Sequence, residues 1–84
     1  MSEIKIGIVS HFFDKVSVAA IKLQKALKVG DTIHIKGATT DFTTKVKSMQ
    51  IDRKPVEKAK KGDEIGIKVP DKCRGNDEVF KVKE

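Results

Sequence analysis

The chain has 84 residues, 38% of them apolar and 36% charged, which is one domain over residues 1–84 with one core and no room for a second. A single cysteine, Cys73, excludes an intrachain disulfide and a cysteine-based zinc cluster, and the net charge of +6 permits a phosphate-rich partner without requiring one. The cations are nearly all lysine, a poor tool for bidentate reading of bases or phosphates, so a solvated lysine-rich surface accounts for much of the excess.

Isoleucine and valine far outnumber leucine, which occurs only at Leu23 and Leu27, and this bias points to strands. "MSEIKIGIVS" carries an early acid and no long apolar run, so it reads as neither a signal peptide nor a membrane span, and a cytoplasmic location is expected. Within it Ile4, Ile6 and Ile8 alternate with Lys5 and Gly7, the pattern of a half-buried strand, and Gly7 marks a bulge or a close backbone approach. Residues 14–30 leave two readings open. Val16, Ala20, Leu23 and Leu27 fall on one helical stripe between Asp14 and Gly30; alternatively Val16, Val18 and Ala20 face one side of a strand that changes face before Ile21 and Leu23.

"DTIHIKG" predicts a strand with Ile33 and Ile35 inward and His34 outward. "FTTKVKSMQI" predicts a longer one, with Phe42, Thr44 and Val46 on one face, Met49 and Ile51 on the other, and a bulge or bend near Ser48. Residues 52–63 read as a loop stopped by Pro55 and pinned to the core by Val56 and Ala59. Ile65, Ile67 and Val69 share the inner face of the next strand. A loop holding Cys73 follows, and "EVFKV" closes the chain. Short strands at regular spacing predict a small barrel or sandwich.

One local pattern repeats. "KVGDTIHI" at 28–35 returns as "KKGDEIGI" at 60–67, and more weakly as "RGNDEVFKV" at 74–82. Gly30 and Gly62 are expected to supply a positive φ, and Asp31 and Asp63 to accept backbone N–H groups and close a turn. Ile33 and Ile65 then begin the inward face of a strand while Thr32 and Glu64 point out.

Taken in order, "IGIVSHFF", "LKVGDTIHIKG", "VKSMQI" and "VEKAKKGDEIGIKV" resemble the second domain of translational GTPases of the elongation factor Tu type. Gly7-Ile8-Val9 matches its opening strand and Lys28 to Asp31 its Lys-x-Gly-Asp turn. Val46, Ser48 and Met49 match a Val-x-Ser-Met strand, and Ala59, Gly62, Asp63, Ile65 and Gly66 the run that follows. The carboxy-terminal barrel of collagenase-like peptidases is similar too, including a turn of the same kind. The resemblance covers residues 4–83 and implies an all-β, closed six-stranded Greek-key-like barrel, with residues 15–23 as its second strand. It also implies a translation-factor-like role with an RNA partner, tRNA or ribosome-associated. No G-x-x-x-x-G-K-[ST] loop is present to hold a nucleoside triphosphate, and no cofactor is called for.

Ser10, His11 and Asp14 lie close together, but neighbouring strand residues point to opposite faces, so they make no catalytic set, and the chain reads as non-enzymatic. His11, His34 and Cys73 show no metal-ligand spacing. Lys72 and Arg74 flank Cys73, and neighbouring cations lower a thiol pKa; without a partner base it reads as an incidental loop cysteine. The candidate nucleic-acid contacts are His34, Lys36, Lys45, Lys47, Arg53, Lys54, Lys72 and Arg74. Single-strand binders also offer exposed rings, and only Phe12-Phe13 supplies one, since two successive strand residues cannot both face inward. Two functions from different classes follow: an RNA-binding module, or a protein-interaction adaptor such as a detached accessory barrel of a collagenase-like peptidase. High Lys and Glu with little Asn, Gln and Cys fits a thermophile.

Overall fold

The computed structural model describes residues 2–83, which form strands and turns without a helix. In chain order the strands are β1 (Ser2–Phe13), β2 (Val18–Leu23), β3 (Leu27–Lys28), β4 (Thr32–Lys36), β5 (Asp41–Lys45), β6 (Met49–Ile51), β7 (Lys54–Val56), β8 (Lys58–Ala59), β9 (Glu64–Lys68) and β10 (Glu78–Lys83). Eight form an antiparallel sheet in the order β5-β4-β10-β1-β2-β9-β6-β7, and β3 pairs with β8 in a separate ribbon.

The all-β class is as expected, but the closed six-stranded barrel is not what forms. The hydrogen-bonded order is linear, with β5 and β7 at its edges. Pro55 sits in β7 opposite Gln50, where a residue without an N–H is tolerated because no further strand pairs there. The loop expected over 52–63 therefore contains two short strands, while Val56 and Ala59 do pack on the core as expected. The sheet is nevertheless rolled. Laid flat, eight strands at ~4.8 Å spacing would span roughly 34 Å, whereas the molecule measures 30 × 27 × 20 Å. Ile33 and Ile35 of β4 share one cluster with Met49 of β6 and Ile65 and Ile67 of β9. The ribbon fills the gap between the edges: β8 follows β7 directly in the chain, and Gly30 N–H donates to the Val46 carbonyl just beyond β5.

Residues 18–23 settle as strand and 15–17 as the turn before it, with a phase the sequence pattern missed. Ala19, Ile21 and Leu23 point inward without a bulge, and Val16 is 58% exposed in the hairpin turn. The irregularities lie in the partner strand, between Lys5 and Gly7 and between Val9 and His11. They shift the buried set of β1 to Ile6, Gly7 and Val9, so the expected inward run of Ile4, Ile6 and Ile8 breaks after Ile6. Gly7 is where β1 comes closest to β2. A Cβ there would lie 2.5 Å from the Lys22 carbonyl oxygen, so no larger residue fits. Of the two adjacent phenylalanines, Phe12 packs on the core and Phe13 is 49% exposed. The expected long strand over 42–51 is split by a bend at 46–48, with Val46 and Met49 both buried.

Candidate binding cleft

The repeated pattern builds one turn three times. In each copy the fourth residue's N–H donates to the first residue's carbonyl: Asp31 to Lys28 at 3.2 Å, Asp63 to Lys60 at 3.0 Å, Asp77 to Arg74 at 3.1 Å. The aspartate then accepts the first residue's N–H at 3.0, 3.0 and 2.8 Å. The third position has φ of +100° at Gly30, +92° at Gly62 and +74° at Asn76, the positive value that a type II turn needs there. Asn tolerates the left-handed region, so the weaker sequence copy forms the same turn. Ile33, Ile65 and Val79 each lie two residues beyond and are buried at 0–1% exposure.

The first two turns line the same cleft. Leu27 pairs with Ala59 and Lys28 with Lys58, so the ribbon holds the two repeats side by side over a cleft of about 480 Å³. Buried Leu27 and Ala59 make its floor, and Asp31 and Asp63 reach it from the two turns. Lys28, Lys58, Lys60 and Lys81 also line it. Lys81 Nζ lies 3.3 Å from Asp31 Oδ2. Among the described residues no carboxylate lies within 4.0 Å of Lys28, Lys58 or Lys60 Nζ.

None of the eight nucleic-acid candidates lines this cleft, and the structure does not gather them into one surface. Lys36 and Arg74 share a depression with Gly37–Thr39 and the third turn; Lys72 lies in another beside Asp41 and Asp71. Lys45 and Lys47 join Lys68 around a third, of about 380 Å³, whose lining contains no acid. Arg53 and Lys54 are exposed at the β6–β7 turn. His34 does point outward, but its charge is already matched. Nδ1 is 2.9 Å from Glu3 Oε2, and Nε2 bonds Asp41 Oδ1. Carboxylates only accept, so the protonated imidazolium, which donates from both ring nitrogens, is the form this pairing favours. The Asp41 hydrogen bond first, then the Glu3 bond, raises the His34 pKa, while His34 lowers that of Asp41. Lys36 faces Asp41 on one side and Glu78 on the other, so this sheet face alternates in sign.

The remaining chemistry is structural. Ser10 Oγ lies 3.1 Å from both the Ala20 carbonyl and Glu64 Oε2, while His11 meets Phe13 edge-on with ring centroids 4.5 Å apart. Cys73 is buried, and burial first, then the charge of Asp77, pushes its thiol up to about 11. That overturns the expected influence of Lys72 and Arg74, both of which are exposed. In the sequence Lys58 and Lys60 stand out only as part of the basic loop after Arg53, and Lys28 only as the opening residue of a repeat; nothing local marks Lys81.

No family model matches the chain. Over 83 residues, 98% of its length, it is 51% identical to an uncharacterised protease of Methanocaldococcus jannaschii, of which this stretch is 20%. Over 81 residues it is 33% identical to a collagenase of Porphyromonas gingivalis, covering 94% of this chain and 20% of the relative. The chain is thus similar to one segment of collagenase-like proteins. It spans about a fifth of the length of these curated relatives. The C-terminal domain of a candidate U32 peptidase of Geobacillus thermoleovorans superposes with a TM-score of 0.88 over 94% of this chain and 92% of that one. At 15% identity that likeness establishes a shared fold. These relatives bear on the collagenase-like resemblance; none of the three is a translation factor.

Proposed function

We propose that this chain is a non-catalytic β-module, the counterpart of an accessory segment of collagenase-like peptidases, and that it works by binding rather than by chemistry. The supporting observation is the mismatch of coverage: 98% of this chain aligns with 20% of a protease. The side chains agree with that reading, since Ser10, His11 and Cys73 are each engaged in packing or structural hydrogen bonds. The test is complementation in trans. The Methanocaldococcus jannaschii relative is expressed without its matching fifth and mixed with this chain, and the mixture is analysed by size-exclusion chromatography with light scattering. A one-to-one complex is the expected result. Independent elution, with no heat of binding by calorimetry, overturns the reading.

A second reading, contact with RNA, is favoured by the acid-free depression among Lys45, Lys47 and Lys68. Phosphate contacts release counterions, so affinity for single-stranded or transfer RNA would fall steeply with added salt. Absence of binding even at low salt ends this reading. A pull-down with and without nuclease separates the two, because only the RNA reading brings down nuclease-sensitive material.

A further inference from the structure

Lys28 and Lys58 are direct partners in the antiparallel β3–β8 ribbon, and like charges placed opposite each other in a sheet repel. No carboxylate among the described residues pairs with either, and Lys60 beside them is also unpaired. The two acids of the cleft are committed elsewhere. Asp31 Oδ2 takes the Lys28 N–H and the Lys81 ammonium, and Asp63 Oδ2 takes the Lys60 N–H. Four lysines against two carboxylates leave the cleft formally cationic. Its volume of about 480 Å³ lies inside the ~300–1,000 Å³ typical of ligand clefts.

We infer that this cleft binds an acidic peptide segment, with its carboxylates against Lys28, Lys58 and Lys60. An incoming carboxylate relieves the lysine–lysine repulsion, which gives binding a gain that the empty ribbon lacks. A peptide suits the site better than a nucleic acid, because no aromatic ring lines the cleft to stack a base. Lysine ammonium groups act as point charges and accept a carboxylate from many directions. The inference concerns a different surface from the lysine cluster of the RNA reading and does not depend on complex formation with a protease.

The test is fluorescence anisotropy with a labelled peptide of alternating Glu and Leu, using an alternating Lys and Leu peptide and single-stranded oligouridylate as comparisons. The Glu–Leu peptide is expected to bind at low salt and the Lys–Leu peptide not to. Lys58→Glu should weaken binding at least about tenfold, in line with the loss of an opposed charge in a contact, while the melting temperature stays level or rises. Lys15→Glu, the same charge change in the β1–β2 turn, should leave binding as it was. Four results overturn the inference: no binding of the Glu–Leu peptide at low salt, equal binding of both peptides, equal losses in the two variants, or displacement of bound peptide by oligouridylate. The last would assign the cleft to phosphate. Because Lys58→Glu replaces a repulsive pair with an attractive one, lost binding in that variant cannot be ascribed to lost folding.

Discussion

Lys28 and Lys58, thirty residues apart in the chain, stand directly opposite each other across the β3–β8 ribbon. Replacing one by an acid turns repulsion into attraction. Lys58→Glu is expected to raise the melting temperature by about 2–4 °C at low ionic strength, the scale of one cross-strand pair in a small domain. The gain should shrink in ~1 M salt, where the screening length falls to ~3 Å. Differential scanning calorimetry at the two salt concentrations checks both halves; an unchanged or lowered melting temperature at low salt counts against the pairing.

Gly30 and Gly62 have open space where a Cβ would go, so substitution there strains the backbone without any clash. At φ of +100° and +92° a β-branched residue is held where L-residues pay roughly 1–2 kcal/mol or more. Gly30→Val and Gly62→Val are each expected to lower the melting temperature by about 5–10 °C. Asn76→Gly, at the same position of the third turn, should change it by no more than about 2 °C, since both residues accept that conformation. Unchanged melting in both valine variants would sink the turn assignment.

His34 bridges Glu3 of β1 and Asp41 of β5, and the cluster gives stability a pH window. The folded His34 pKa lies above 6.5, so its contribution is complete below that pH and is lost as pH rises through the folded value. The folded Asp41 pKa lies below 3.8, so its contribution is complete above that pH and is lost as pH falls through the folded value. The cluster therefore works between those two limits. Thermal melts from acid to mildly alkaline pH should show a decline as pH rises past 6.5 that His34→Gln lacks. Parallel pH profiles for the two proteins would remove the cluster as its cause.

Cys73 is buried, with its thiol pushed up to about 11. Only the thiolate reacts with a disulfide reagent, and an ordinary thiol has a pKa of about 8–9, so at a pH of about 8 the native protein should resist 5,5′-dithiobis(2-nitrobenzoate). One equivalent should react at once in denaturant. Fast labelling of the native protein would show that the loop opens readily.

The strands of this protein were legible wherever alternation is regular over a few residues. Ile33 and Ile35, and Ile65 and Ile67, face inward as the period-two pattern requires. The two glycine turns were legible as well, because Gly followed by Asp has a local conformational meaning that does not wait for the rest of the fold. The phase of β2 was not. Val16 and Val18 outrank Ala19 in hydrophobicity, yet Ala19 is buried and Val16 exposed, because Val16 falls in the hairpin turn and the irregularity of β1 between Val9 and His11 sets the register with β2.

The candidate site divides the same way. Lys28, Asp31, Lys60 and Asp63 stand out as repeated letters, and their own backbone conformation accounts for the turns they make. Only the tertiary structure decided that the turns share a cleft, that Lys81 joins them from the last strand, that His34 is held by two carboxylates, and that the sheet rolls with free edges instead of closing. Alternation and turn chemistry act within a few residues and so are written in the sequence by itself. Strand register, sheet closure and the meeting of distant charges depend on which segments pair across the fold, and that is settled by the packing of one shared core.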